Sequence, residues 1–215
     1  MTVTAKICGL NNLVAIEVAV AGGVSHVGLV FFSPSPRAVT IDKARHLVQS
    51  IPSTTRTVGL FVDADDALID SAVEAATLDM LQFHGSETPN RVAALKLRTG
   101  CSVMKVISVA DAGDLAEAEQ YFEVADWLMF DAKPPTDIEC PLPGGNARSF
   151  DWQLLSGYDW PIPWMLAGGL NAANIGKAVA LTGAAVVDCS SGVEDRPGLK
   201  NLDKISEFLA AVSKL

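Results

Sequence analysis

Cysteine at position 8 closes a short apolar run, Ala5-Lys6-Ile7-Cys8, and a glycine follows at once. A thiol there is either a small buried hydrophobe or a thiolate that acts as nucleophile or base. Aspartates close three comparable runs, at Asp63, Asp131 and Asp188. Each can serve as acid, base or helix cap, and the sequence does not rank them. In Ser33-Pro34-Ser35-Pro36-Arg37, two prolines stiffen the backbone ahead of an arginine. Its planar fork suits the oxygen pair of a carboxylate or phosphate, unless it simply faces solvent. Gln82-Phe83-His84-Gly85 offers a histidine as a structural residue or a ligand contact. Two late stretches, Gly168-Gly169-Leu170 and Ser190-Ser191-Gly192, suit an anion, because glycine lets backbone N–H groups approach it.

The elements that must position these groups follow from hydrophobic patterning. Apolar or β-branched runs begin near Ala5, Val27, Val58, Met80, Val103, Trp127, Pro163 and Ala184. Most are spaced by the length of a strand plus a crossover helix. They are continuous rather than alternating, as in Val27-Gly28-Leu29-Val30-Phe31-Phe32, which predicts parallel strands buried on both faces. Between them, Ile69, Ala72, Val73 and Ala76 fall at helical spacing, and so do Ile205, Phe208, Leu209 and Val212. Thr40, Asp65 and Asn171 stand as helix start signals. Eight such units in 215 residues predict a single (β/α)8 barrel domain spanning residues 1–215, rather than an open doubly wound sheet. One interval is swollen. Between Asp131 and Trp152, Pro134-Pro135 and Pro141-Leu142-Pro143-Gly144-Gly145-Asn146 exclude helix and strand. That loop is either a surface insertion or, because it follows a strand's C-terminal end, part of a site.

In a barrel the loops after strands seven and eight recurrently build a phosphate site. The paired glycines and Ser190-Ser191-Gly192 fall on those two loops, so positive potential is expected from local dipoles rather than from net charge. Sixteen Lys and Arg stand against 25 Asp and Glu, for a net charge of −9. This balance disfavours nucleic acid and an anionic membrane surface as partners. No apolar run is long enough to span a bilayer, and Met1-Thr2-Val3-Thr4-Ala5-Lys6 lacks the pattern of a secretory signal. Cys8, Cys101, Cys140 and Cys189 are scattered without metal or disulfide spacing. A reduced, cytoplasmic protein is expected.

Taken in order, these segments resemble the phosphoribosylanthranilate isomerase family of tryptophan biosynthesis. The resemblance rests on Lys6-Ile7-Cys8-Gly9-Leu10, Ser35-Pro36-Arg37, Val58-Gly59-Leu60-Phe61-Val62 and Gln82-Phe83-His84-Gly85. It continues through Phe130-Asp131-Ala132, Pro143-Gly144-Gly145-Asn146, Phe150-Asp151-Trp152, Ala167-Gly168-Gly169-Leu170 and Val187-Asp188-Cys189-Ser190-Ser191-Gly192-Val193-Glu194. It implies a cofactor-free, metal-free Amadori rearrangement of a small-molecule substrate, phosphoribosylanthranilate, by a monomer or homodimer. By resemblance, Cys8 is the general base and Asp131 the general acid. Arg37 would hold the anthranilate carboxylate, with His84 also at the substrate. Gly168, Gly169, Ser190, Ser191 and Gly192 would hold the ribose phosphate. Ala147 stands where the family has a further glycine, so less freedom to adopt positive φ is expected there. Asn11-Asn12-Leu13 opens helix one where acidic residues are common in the family.

Other phosphosugar barrels remain as alternatives. The histidine-pathway aminoaldose isomerase carries an Asp where Cys8 stands. Indole-glycerol-phosphate synthase relies on Lys and Glu at strand ends, for which Lys105 is the comparable residue here. A barrel that binds phosphate without catalysis is the third alternative.

Overall fold

The computed structural model describes residues 2–134 and 142–215, so Pro135, Cys140 and Pro141 lie outside the described residues. Eight strands close a parallel barrel in sequence order: β1 Thr4–Cys8, β2 His26–Val30, β3 Arg56–Phe61, β4 Met80–Phe83, β5 Ser102–Val109, β6 Trp127–Ala132, β7 Trp164–Leu166 and β8 Val186–Cys189. Each starts within two residues of the position expected from the apolar runs. The barrel closes through β1 against β8, with Lys6 opposite Asp188.

Side chains alternate between the barrel interior and the helix layer. Met80, Met104, Met129, Met165, Val58 and Val186 form an inner cluster, and Cys8, Val30 and Leu60 form another. The neighbouring strand positions, such as Ile7, Phe61, Phe83, Ile107 and Phe130, join the larger cluster that includes the helices. This alternation puts Lys105, next to inward-facing Met104 and Val106, on the outer side. There its Nζ donates to Gly85 O at 2.5 Å and to Glu87 Oε2 at 3.1 Å.

Six α-helices cover the barrel among the described residues: α1 Leu13–Ala21, α2 Ile41–Leu47, α3 Asp66–Ala76, α4 Pro89–Thr99, α5 Ile175–Thr182 and α6 Leu202–Val212. Thr40 and Asp65 cap α2 and α3 through their side chains, as their types predict. Asn12 caps α1 by accepting from Ala15 N–H. Asn171 instead caps a turn before α5, whose N-cap residue is Asn174.

Two of the expected helices are replaced by 3-10 segments. Ala112–Tyr121 connects β5 to β6, and its buried Leu115, Ala118 and Tyr121 recur at every third residue. That spacing matches a helix of three residues per turn, so one apolar face forms without an α period. Between β6 and β7, among the described residues, only Trp152–Leu155 is helical. Pro161 and Pro163 follow closely and exclude a longer helix.

Candidate active site

The pocket opens at the C-terminal end of the barrel, where the strand-end side chains converge with the loops. Cys8 ends β1 and Asp131 sits one residue before the end of β6, and both line this pocket. His84, immediately after β4, brings its Nε2 to 3.6 Å from Asp131 Oδ2. Asp188 on β8 and Gln82 on β4 complete the polar floor. Val30, Phe32, Leu60 and Val62 form an apolar wall on the β2–β3 side. Gly168, Gly169, Ser190 and Ser191 line the β7–β8 side, so the two late loops meet at one place.

The site's electrostatics favour a protonated Asp131 and a neutral imidazole. Burial raises the Asp131 carboxyl to about 7, and the nearby Asp188 charge adds to the shift. A backbone bond from Ala132 N–H to Oδ1 at 2.8 Å opposes it. His84 is pushed down to about 3, first by burial and then by Lys105 and Lys6. Below pH 7 the Asp131–His84 contact is therefore between a mostly protonated carboxyl and a neutral imidazole. The Cys8 thiol is raised by burial, while Lys6 pulls the other way.

Arg37 lines the pocket, with its fork already engaged. Nε and Nη2 donate to the two carboxylate oxygens of Glu194 at 2.9 and 2.8 Å, and Nη2 also reaches Gly145 O at 3.1 Å. Of the five guanidinium N–H groups, the two on Nη1 are not used by these bonds. Glu194 opens the hairpin strand β9, Glu194–Arg196, which pairs with β10, Leu199–Lys200. Lys200 is buried and its Nζ binds Glu194 Oε1 at 2.8 Å and Ser190 O at 2.9 Å. Burial would raise the Glu194 carboxyl, and the bonds from Arg37 and Lys200 override it.

Gly192 lies one layer behind the lining. It packs against the Cys189 thiol, which donates to Leu170 O at 3.1 Å. A Cβ on Gly192 would sit 1.9 Å from that carbonyl, so glycine is required for the two loops to pack. Gly168 and Gly169 adopt φ +88 and +66, the left-handed region that glycine enters freely. The swollen loop contributes Leu142 to Arg148 to the pocket, which supports the site reading over a surface insertion. Contrary to expectation, Ala147 does take positive φ, at +56, a conformation that costs about 1 kcal/mol relative to glycine. Gly144 touches the acid: a Cβ there would lie 2.7 Å from Asp131 Oδ2 and 2.4 Å from His84 Cε1.

Sequence reasoning passed over Lys6, Glu194 and Lys200. Lys6 was open to detection, since a lysine two residues before Cys8 shares its face in a strand. The pairing of Arg37 with Glu194 had no local signal.

Fold and pocket define a (β/α)8 barrel with a pocket at the mouth of its strands that is lined by a thiol, a carboxyl and an imidazole. The family model described as N-(5'-phosphoribosyl)anthranilate (PRA) isomerase matches residues 5–211. A Paramagnetospirillum magneticum protein named N-(5'-phosphoribosyl)anthranilate isomerase is 56% identical over 211 residues, 98% of this chain and 97% of that one. The crystal structure of phosphoribosyl anthranilate isomerase from Thermotoga maritima matches all of both chains with TM-score 0.88 and 31% identity. A phosphoribosyl anthranilate isomerase structure in complex with reduced 1-(o-carboxyphenylamino)-1-deoxyribulose 5-phosphate matches all of both chains with TM-score 0.85 and 30% identity. The chain belongs to the N-(5'-phosphoribosyl)anthranilate isomerase family.

Proposed function

We propose that this chain, acting as one barrel domain, converts N-(5-phosphoribosyl)anthranilate into 1-(2-carboxyphenylamino)-1-deoxyribulose 5-phosphate. The observation that carries the reading is a buried thiol and a protonated carboxyl at the ends of β1 and β6, lining one pocket. Asp131 gives its proton to the furanose ring oxygen, the ring opens, and a Schiff base forms at C1′. Cys8 then takes the C2′ proton, and the resulting enolamine tautomerises to the ketone. A carboxyl that stays protonated to about pH 7 suits the acid role.

The pocket's two ends suit the two ends of the substrate. Gly168, Gly169, Ser190 and Ser191 receive the phosphate, with Gly192 holding their loops together from behind. The aryl ring lies against Val30, Phe32, Leu60 and Val62, and the Nη1 group of Arg37 meets its carboxylate. His84 contacts the sugar beside Asp131. The outward position of Lys105 argues against the indole-glycerol-phosphate synthase alternative, which needs that lysine in the pocket. The protein is read as a cytoplasmic enzyme. Among the described residues, no helix is long and apolar enough to cross a membrane.

The test is the anthranilate fluorescence of freshly generated phosphoribosylanthranilate, followed with the wild-type protein and with Cys8→Ala. Turnover should fall by ~10²–10⁴ in the variant. Inorganic phosphate should inhibit the wild type competitively and still bind Cys8→Ala. Unchanged turnover in folded Cys8→Ala would remove the base assignment, and no turnover by the wild type would remove the reading.

A further inference from the structure

Lys6 has no exposure to solvent, yet it points into the barrel among apolar side chains. Its Nζ donates to Asp188 Oδ1 at 2.9 Å, and Cys8, two residues further along β1, shares its face of the strand. Gly28 on β2 leaves room for both side chains. A Cβ there would lie 3.0 Å from Cys8 Sγ and 3.2 Å from Lys6 Nζ.

A buried ion pair is a weak source of stability, and apolar residues of similar volume often replace one without loss. The surrounding layer already uses Met80, Met104, Met129 and Met165 to fill its space. A methionine at position 6 together with an apolar residue at 188 would fill the same space without desolvating two charges. What only the lysine supplies is a fixed positive charge against sulfur.

We propose that Lys6 is the positioning residue of the general base: anchored by Asp188, its ammonium steadies the Cys8 sulfur as the proton-accepting thiolate and aims it into the pocket. The proposal deepens the reading of Cys8 as base and rests on it. In the step served, the C2′ proton moves to Cys8 Sγ. The C–H electron pair becomes the C1′=C2′ double bond and neutralises the iminium nitrogen, while Lys6 keeps its protons.

The charges facing Cys8 are few. Burial and Asp188 disfavour the thiolate, whereas Lys6 and, on β10, Lys200 favour it. From β2 comes only Gly28, and Arg37, packed over Gly9, is neutralised by Glu194. Asp131 across the mouth is protonated up to about pH 7. Lys6 is thus the cation that favours the Cys8 thiolate most strongly.

The experiment follows the pH dependence of Cys8 alkylation by iodoacetamide in the folded full-length protein, quantified on the Cys8 peptide by mass spectrometry. In Lys6→Met the midpoint should rise by about one pH unit or more, with the rate at pH 7 falling ~10-fold. The kcat/KM profile should shift to alkaline pH by a similar amount, with inhibition by inorganic phosphate retained. Lys6→Arg should keep the midpoint closer to the wild type. A folded Lys6→Met variant with an unchanged midpoint overturns the proposal. Should that variant not fold, Lys6→Met/Asp188→Leu replaces the whole pair, and its midpoint must also rise. An unchanged or lower midpoint there is equally fatal. The alkylation readout is independent of turnover, so an active Cys8→Ala enzyme would sink the base reading and not this measurement.

Discussion

The Asp131 carboxyl is held in a state that suits the reaction and burdens the fold. Its ordinary pKa of 3.8 rises to about 7 in the pocket, chiefly through burial. Between those values the folded protein holds a proton that the unfolded chain releases. Stability contributed by this group is therefore present below pH 3.8 and is lost as pH rises towards 7. The shift corresponds to an upper bound of roughly 4 kcal/mol, at about 1.4 kcal/mol per pH unit. Asp131→Asn keeps the shape of the protonated acid and can still accept the 2.8 Å bond from Ala132 N–H. The variant should lose ~10²–10⁴ in kcat, because an amide cannot protonate the ring oxygen. It should also be more stable than the wild type at pH 8, by ~2–4 kcal/mol, with the gain vanishing near pH 4. Urea unfolding at pH 4, 6 and 8 measures the stability, and the fluorescence assay measures kcat. A variant that is less stable than the wild type at pH 8 would refute the account of Asp131 as a buried acid. Near-normal kcat in a folded variant would move the acid role elsewhere, with Asp188 next.

Three further outcomes are expected. Arg37→Met leaves the buried Glu194 with only one of its two cationic partners, Lys200. It should destabilise the fold by ~3–5 kcal/mol in urea and cut kcat/KM by ~10- to 1000-fold, with phosphate inhibition kept; equal loss of phosphate inhibition would assign Arg37 to the phosphate end. Gly192→Ala drives a Cβ into Leu170 O and should weaken substrate and phosphate binding together; calorimetry showing unchanged phosphate affinity counts against the loop assignment. His26, beside Lys6 on the neighbouring strand β2, is lowered from 6.5 to about 4 by burial first. It stays neutral in the fold while the unfolded chain takes up a proton, so up to ~3 kcal/mol of stability is lost as pH falls from 6.5 to 4. His26→Phe should flatten the stability profile between those pH values, and an equally steep acid limb in the variant would place the effect in another group.

The sequence by itself determined the periodic part of this protein. Apolar runs, helix caps and the spacing between them are local properties, so strand starts, the barrel and the caps of α2 and α3 were legible from residue order. The same is true of the groups at strand ends, because a strand's C-terminal residue in a barrel faces the mouth whatever its partners are. Cys8, Asp131, His84, Gly168, Gly169, Ser190 and Ser191 were found that way, and they share one pocket. Only the tertiary structure decided which of these groups carry charge and which touch. Lys6 and Asp188 are 182 residues apart, and Arg37 and Glu194 are 157 apart. Their contacts exist because β1 closes on β8 in one register and because the β9–β10 hairpin packs against Arg37. Closure also removes water from Asp131 and His84, which is what shifts their protonation. Desolvation depends on everything packed around a group, and no stretch of neighbouring sequence encodes it.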